Sequence, residues 1–196
     1  MVIFADIFTC LYVVFSGCTP SVTDGLIRLR ASSVRRVSTD AYMLTLPSKN
    51  IKSPPLPDGF IVTSVKEHHL DTMVEEWQHS GVFDDTKKWI AEVTRHSPSV
   101  CIENKQGDPV AWAIQHEYGC IGMLQVVPKY QRAKLGSVVT MLMAQKIHNK
   151  GDYLYSSVAV DNHVSLAFHE KNSFEYLSGI MTAYVNYEFP KARQTI

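Results

Sequence analysis

The chain has 196 residues, 45% of them hydrophobic, enough to bury the core of one ordinary domain with segments to spare. Lys and Arg number 19 and Asp and Glu number 19, so the formal net charge is zero and no basic field points to nucleic acid. The cysteines (Cys10, Cys18, Cys101, Cys120) form no Cys-x-x-Cys pair and the histidines show no ligand spacing; they imply neither a metal site nor a disulfide framework, and read as free thiols in a reducing compartment.

Met1 to Cys18 is apolar, broken by Asp6. As a signal peptide it lacks a positive n-region. It is short of the roughly 20 apolar residues of a membrane span. The preferred reading is buried strand and helix from a truncated domain. Gly25 to Thr39 holds Arg28, Arg30, Arg35 and Arg36 with serines and no acid. That composition resembles a transit peptide, although it lies behind an apolar segment. The compartment is expected to be mitochondrial or cytoplasmic. Ala41 to Leu46 reads as a short strand. Pro47, Pro54, Pro55 and Pro57 make Pro47 to Gly59 an extended linker. The expected division is residues 1–46, a linker 47–59 and a domain 60–196.

From Phe60 the pattern is regular. Phe60 to Val65 reads as a strand and His68 to His79 as a helix with Leu70, Met73, Val74 and Trp77 on one face. His68 and His69 are expected to face water. Asp84 or Asp85 caps the next helix, Thr86 to His96, which ends before Pro98. Ser99 to Glu103 and Pro109 to Gln115 form a hairpin across Asn104 to Asp108. Gly119 to Val127 is a strand, and Val138 to Lys150 a helix with Val139, Leu142, Met143 and Ile147 at helical spacing. Tyr153 to Val160 is a strand, Asn162 to Lys171 a helix, and Phe174 to Leu177 and Ala183 to Phe189 are strands. The order predicts an α+β layer.

The stretch Val127-Pro128-Lys129-Tyr130-Gln131-Arg132-Ala133-Lys134-Leu135-Gly136-Ser137 joins a strand to a helix N-terminus. The first helical N–H groups lack intrahelical partners, and the dipole adds positive charge, which together suit a phosphate. Gly136 lets a ligand approach the backbone, Ser137 is placed to cap, and Arg132 and Lys134 add cations. An ordinary strand-to-helix connection fits these features equally well.

The loop resembles the acyl-CoA loop of the GNAT acyltransferase superfamily, Gln/Arg-x-x-Gly-x-Gly/Ala. Gln131 and Gly136 match, and Lys134 stands where the middle Gly is usual. Asn162-His163-Val164-Ser165-Leu166-Ala167-Phe168-His169-Glu170-Lys171-Asn172-Ser173-Phe174 resembles that superfamily's Asn-x-x-Ser/Ala-x-x-Leu/Phe-Tyr-x-x-x-Gly-Phe, with His169 for Tyr and Ser173 for Gly. A narrower resemblance is to the glycine N-acyltransferase-like family. It rests on Leu56-Pro57-Asp58-Gly59-Phe60, Trp77 with Ser80-Gly81, Thr86 with Trp89-Ile90, Pro98-Ser99, and above all Gly107-Asp108-Pro109-Val110-Ala111-Trp112. It covers about Leu56 to Phe189.

The resemblance implies a GNAT fold, a mixed and mostly antiparallel sheet flanked by helices, behind a short atypical N-terminal segment. It implies transfer of an acyl group from acyl-CoA, as co-substrate, to the amine of a small acceptor such as glycine or another amino acid, in a ternary complex. It assigns CoA to the backbone of Leu124, Gln125, Val126 and Val127, with Val126 N–H as an oxyanion donor. The loop Gln131, Arg132, Ala133, Lys134, Leu135, Gly136 and Ser137 and the helix residues Asn162, Ser165 and Phe168 complete that site. The family's Glu base falls at Cys120, whose thiol is a poor substitute. His116 and Glu117 are the candidate bases, acting through water, and His169 is the candidate proton donor to the CoA thiolate. Against these stand plainer readings: His116 and Glu117 as solvated strand-end residues, His169 as a surface histidine, Cys120 as core, and Trp77, Trp89 and Trp112 as packing. Acetylation of a protein or peptide amine, and acyl-CoA binding without turnover, are the competing functions. No nucleic acid or metal partner is expected, and a membrane role is disfavoured.

Overall fold

The computed structural model describes residues 12–18, 39–78, 80 and 85–188. The basic stretch with Arg28, Arg30, Arg35 and Arg36, the apolar residues before Tyr12, and Asp84 lie outside the described residues. In chain order the elements are β1 (Tyr12–Cys18), β2 (Thr39–Thr45), β3 (Ile61–Thr63), α1 (Leu70–Glu76), α2 (Thr86–His96), β4 (Ser99–Glu103), β5 (Pro109–Gln115), β6 (Ile121–Val126), α3 (Leu135–Lys150), β7 (Tyr155–Ala159), α4 (His163–Lys171) and β8 (Glu175–Glu188). Among the described residues no helix is long and apolar enough to cross a membrane.

The chain divides into two compact units, and β7 passes from one to the other at Ser156/Ser157. The unit of Thr45–Ser156 with Asn172–Phe174 carries most of the expected domain. Its strands run in the order β3-β4-β5-β6, antiparallel through Ile61↔Glu103, Ser99↔Ile114 and Gln115↔Ile121. The start of β7 joins in parallel at Ile121↔Ser156. Strand alternation sorts the side chains onto two faces. Val100, Ile102, Ala111, Ala113 and Ile121 pack under α3, against Leu135, Val138, Val139, Met143 and Ile147. Cys101, Trp112, Ile114 and Met123 pack on the other face, against Leu70 and Met73 of α1 and Ile90 and Val93 of α2. Each such aliphatic side chain contributes about 1.5–3 kcal/mol by leaving water. A charge at Met143, fully buried in α3, would undo that packing.

Asp85 caps α2, its carboxylate accepting the Lys88 N–H at 2.9 Å. Gly151, at φ 83, closes α3 in the left-handed region. Thr140 and Met141 are buried beside the expected apolar stripe of α3, so this helix is covered on more than one side. The residues between Pro47 and Gly59 form no strand or long helix, as the prolines require, but Leu56 and Phe60 pack on the α3-side core.

In the second unit β1 pairs antiparallel with β8, from Tyr12↔Glu188 to Cys18↔Ala183, and β8 lies beside β2. Tyr42 meets Tyr176 edge to face at 5.3 Å. Two expectations change, one in each unit. The strands read as Phe174–Leu177 and Ala183–Phe189 are one strand, β8, which runs through Ser178-Gly179. The helix read as His68–His79 is a 3-10 turn, Glu67–His69, followed by the shorter α1.

Candidate active site

In the ladder between β5 and β6 the pairs Ala111↔Val126 and Trp112↔Gln125 give way to Ile114↔Gly122, a shift of one residue. Met123, at φ 48, is the point of irregularity. A bulge there bends the strand and re-aims its later residues. The Val127 N–H donates to Val110 O at 2.9 Å, which makes Ala111↔Val126 a non-hydrogen-bonded pair. The N–H and C=O of Val126 therefore face away from β5. Gln125, one residue earlier, turns its N–H and C=O toward β5, and the Val127 N–H is already bonded. Of the backbone expected to meet CoA, Val126 is free of β5 and Gln125 and the Val127 N–H are committed to it.

Beyond Val126 the chain makes a 3-10 turn, Pro128–Tyr130. Gln131 Nε2 donates back to Val126 O at 3.3 Å, and Asn104 Nδ2 donates to the Tyr130 hydroxyl at 3.2 Å. Arg132 and Lys134 stand in the left-handed region at φ 62 for Lys134 and 67 for Arg132, on either side of Ala133. Such a turn gathers backbone N–H groups into a concavity for an anion. Lys134 is the N-cap of α3 and its side chain caps nothing; Ser137, expected to cap, is the third residue of the helix. Leu135 and Gly136 are buried in the first turn, so the positive φ falls on Lys134 and not on Gly136.

His116 and Glu117 lie in the tight connection from β5 to β6, where the His116 N–H bonds Cys120 O at 2.9 Å and the Gly119 N–H bonds His116 O at 2.8 Å. The expectation of solvated strand-end residues does not hold: their side chains are 12% and 19% exposed. The His116 ring is stacked on Tyr118 at 5.0 Å and 11° and lies tilted against Trp89 at 5.6 Å. Trp89 in turn stacks on Trp77 at 5.6 Å. The ring edge of His116 covers β6 at Gly122, where a Cβ would fall 2.0 Å from Nε2. Burial pulls the imidazole down to about 4, so it is neutral near neutral pH. Its Nδ1 is shut off from solvent without a hydrogen-bond partner. Glu117 accepts the Trp89 indole N–H at 2.7 Å. Burial raises the Glu117 carboxyl above its ordinary range, and the indole bond opposes that shift. Cys120 and Cys101 are buried thiols outside any disulfide, and burial pushes the Cys101 thiol up to about 12.

In the other unit α4 carries the remaining candidates. Asn162 Oδ1 accepts the Ser165 N–H at 3.0 Å, so this side chain caps the helix. His169 is 5% exposed, against the expectation of a surface residue. Its Nδ1 lies 2.8 Å from Ser165 O and 3.4 Å from Ser165 Oγ, and its ring meets Phe168 edge-on at 5.5 Å. Burial lowers its basicity, and the Ser165 carbonyl works in the other direction.

His68, His69 and Glu103 bring potential ligand atoms within 4.8 Å of one another. His69, expected to face water, is fully buried. Its Nδ1 accepts the Lys66 N–H at 3.1 Å, so its Nε2 carries the proton and donates to Glu103 Oε1 at 2.9 Å. Lys66 Nζ sits 2.7 Å from the same oxygen and holds the Glu103 carboxyl below its usual range. Both ring nitrogens are committed and the carboxylate already has its cation. The cluster is an ion-paired anchor between β4 and the turn before α1, not a fit for a metal.

Residues 101–183 match the family model described as FR47-like protein. Bovine glycine N-acyltransferase is similar at 23% identity, over 73% of this chain and 54% of its own length. The chain spans about half the length of the curated relatives it matches. A solved Drosophila protein superposes with a TM-score of 0.77 at 19% identity, over 89% of this chain and 60% of its own. A tandem GNAT protein from the clavulanic acid biosynthesis pathway superposes with a TM-score of 0.61 at 11% identity, over 92% and 64%. At such identities the superpositions show the fold, and that fold is GNAT.

Proposed function

We propose that this chain, whose fold is GNAT, is an acyltransferase that moves an acyl group from acyl-CoA to the amine of a small acceptor such as glycine or another amino acid. The observation that carries the reading is the passage from the Met123 bulge, through the left-handed Arg132 and Lys134, into the N-terminus of α3. The pyrophosphate would rest on the N–H groups of Leu135, Gly136 and Ser137, with Arg132 and Lys134 supplying charge. Pantetheine would add as a strand to backbone groups at Val126 that face away from β5. The amine gives up a proton, its nitrogen attacks the thioester carbonyl, the C–S bond breaks and the thiolate leaves with a proton. The Val126 N–H is the donor proposed for the oxyanion. His116 and Glu117 are proposed to receive the amine's proton.

A second reading, acyl-CoA binding without turnover, is favoured by Cys120, a buried thiol where the resemblance puts a Glu. Thiol release from several acyl-CoAs, with and without glycine and other amines, beside calorimetric CoA binding, separates the two. Amine-dependent release is the expected result. Binding without release for any acceptor would replace the transferase reading by the second, and no binding would remove both.

A further inference from the structure

The aromatic stack at the β5–β6 connection does more than cover the sheet. Trp89, on α2, donates its indole N–H to Glu117 Oε1 at 2.7 Å. The other carboxylate oxygen, Oε2, then lies 3.9 Å from His116 Nδ1. That Nδ1 is buried and has no hydrogen-bond partner, which is a costly condition for a ring nitrogen. The imidazole cannot tilt freely to cure it, because Trp89 and Tyr118 hold its faces at 5.6 and 5.0 Å and Gly122 lies under its Nε2 edge. Trp77 backs Trp89 in the same stack.

A neutral imidazole places its proton on one nitrogen. With the proton on Nε2, the Nδ1 lone pair would face a carboxylate in a dry site. With the proton on Nδ1, a carboxylate oxygen stands one short side-chain movement from a charge-assisted hydrogen bond. The second arrangement leaves the Nε2 lone pair along β6 at Gly122, on the same strand that ends at Val126. We infer that Trp89 is a positioning residue, which aims Glu117 so that it fixes His116 as the Nδ1–H tautomer and presents Nε2 as the proton acceptor. The catalytic consequence rests on the acyltransferase reading; the tautomer does not. In the reaction the amine's proton passes to Nε2 as the N–C bond forms and the C–S bond breaks, and the imidazolium so formed lies beside Glu117, which stabilises it.

The test is histidine ¹⁵N correlation spectroscopy near pH 7 on the full chain, with His116→Asn identifying the signal. The expected result is a protonated Nδ1 and an unprotonated Nε2, and loss of that preference in both Trp89→Phe and Glu117→Gln. In turnover with the best acyl-CoA and amine, both variants should lower kcat about 10-fold or more with little change in KM. An Nε2–H tautomer in the parent overturns the inference. So does an unchanged tautomer in a folded Trp89→Phe protein. Should Trp89→Phe not fold, Glu117→Gln keeps the same reading open to refutation, because it retains an acceptor for the indole N–H. A parent chain that shows the Nδ1–H tautomer but no turnover would count against the acyltransferase function alone.

Discussion

Gly122→Ala adds one methyl group and should change sign with its surroundings. Gly122 sits on β6 at an ordinary strand φ, so the backbone accepts alanine. The new Cβ would lie 2.0 Å from His116 Nε2 and 2.2 Å from Cδ2. Unbonded heavy atoms rest at about 3.5–4.0 Å, so the ring must retreat by roughly 1.5 Å. It cannot slide without spoiling the stacks on Trp89 and Tyr118, each worth about 0.5–1.5 kcal/mol. Overpacking of this kind costs about 1–3 kcal/mol. Alanine in place of glycine otherwise favours a strand by about 0.5–1 kcal/mol. With His116 present the net effect is a loss of about 1–2 kcal/mol; in a His116→Ala background the clash is gone and the same methyl should stabilise by about 0.5–1 kcal/mol. Urea denaturation of the four proteins of the cycle measures this as shifts of midpoint at constant m. The same sign in both backgrounds would refute the placement of His116 on Gly122. Thiol release should fall in Gly122→Ala, because the displaced ring no longer presents Nε2 at β6.

Lys134 holds a left-handed conformation at φ 62, which costs an L residue about 1–2 kcal/mol, less for glycine. Lys134→Gly should therefore be more stable than Lys134→Ala by about 0.5–1 kcal/mol after the entropy of glycine is set against the relief. Urea midpoints for the two variants decide it, and an alanine variant as stable as the glycine one would contradict the loop geometry. The pH dependence of stability should carry the signature of His116. Its folded pKa, about 4, lies below the unfolded 6.5, so as pH falls the unfolded chain takes the proton first. The favourable contribution is complete above pH 6.5, declines through the interval to 4, and amounts to about 3 kcal/mol when lost. Glu117, raised by burial, titrates in the opposite sense. His116→Asn should flatten the acid decline relative to the parent between pH 6.5 and 4, and an identical slope would show that His116 is not buried neutral.

The order of elements after Phe60 was legible because alternation and helical spacing are local signals, and Asp85, Pro98 and the Asn104–Asp108 turn mark the ends. What the sequence hid depends on partners far along the chain. Trp89 and Glu117 are 28 residues apart, and nothing beside either announces an indole bonded to a carboxylate. His69 reads as a polar opener of a helix, yet it is buried because Glu103, 34 residues away, supplies an acceptor. The Ser178-Gly179 pair suggests a break, but β8 runs unbroken through it from Glu175 to Glu188. One clue at the site was present: a glycine inside a strand, Gly122, marks a position where something approaches the backbone closely, and that something is His116.

Two of the departures from the superfamily pattern share a backbone conformation that residue identity alone conceals. Lys134 and Ser173 both replace a glycine of that pattern, and both hold positive φ, 62 and 64. The glycines of the pattern are thus explained by backbone conformation at these positions, and not only by room for a ligand. A larger residue there need not abolish the turn, since its cost is strain rather than a changed path. The backbone N–H groups that the turn directs are then kept, while the side chain at 134 adds a cation beside them. The Lys134→Gly and Lys134→Ala pair also separates these contributions to CoA binding. If the turn alone matters, glycine should bind CoA at least as well as lysine; if the cation matters, both variants should weaken binding together, and more so at low salt.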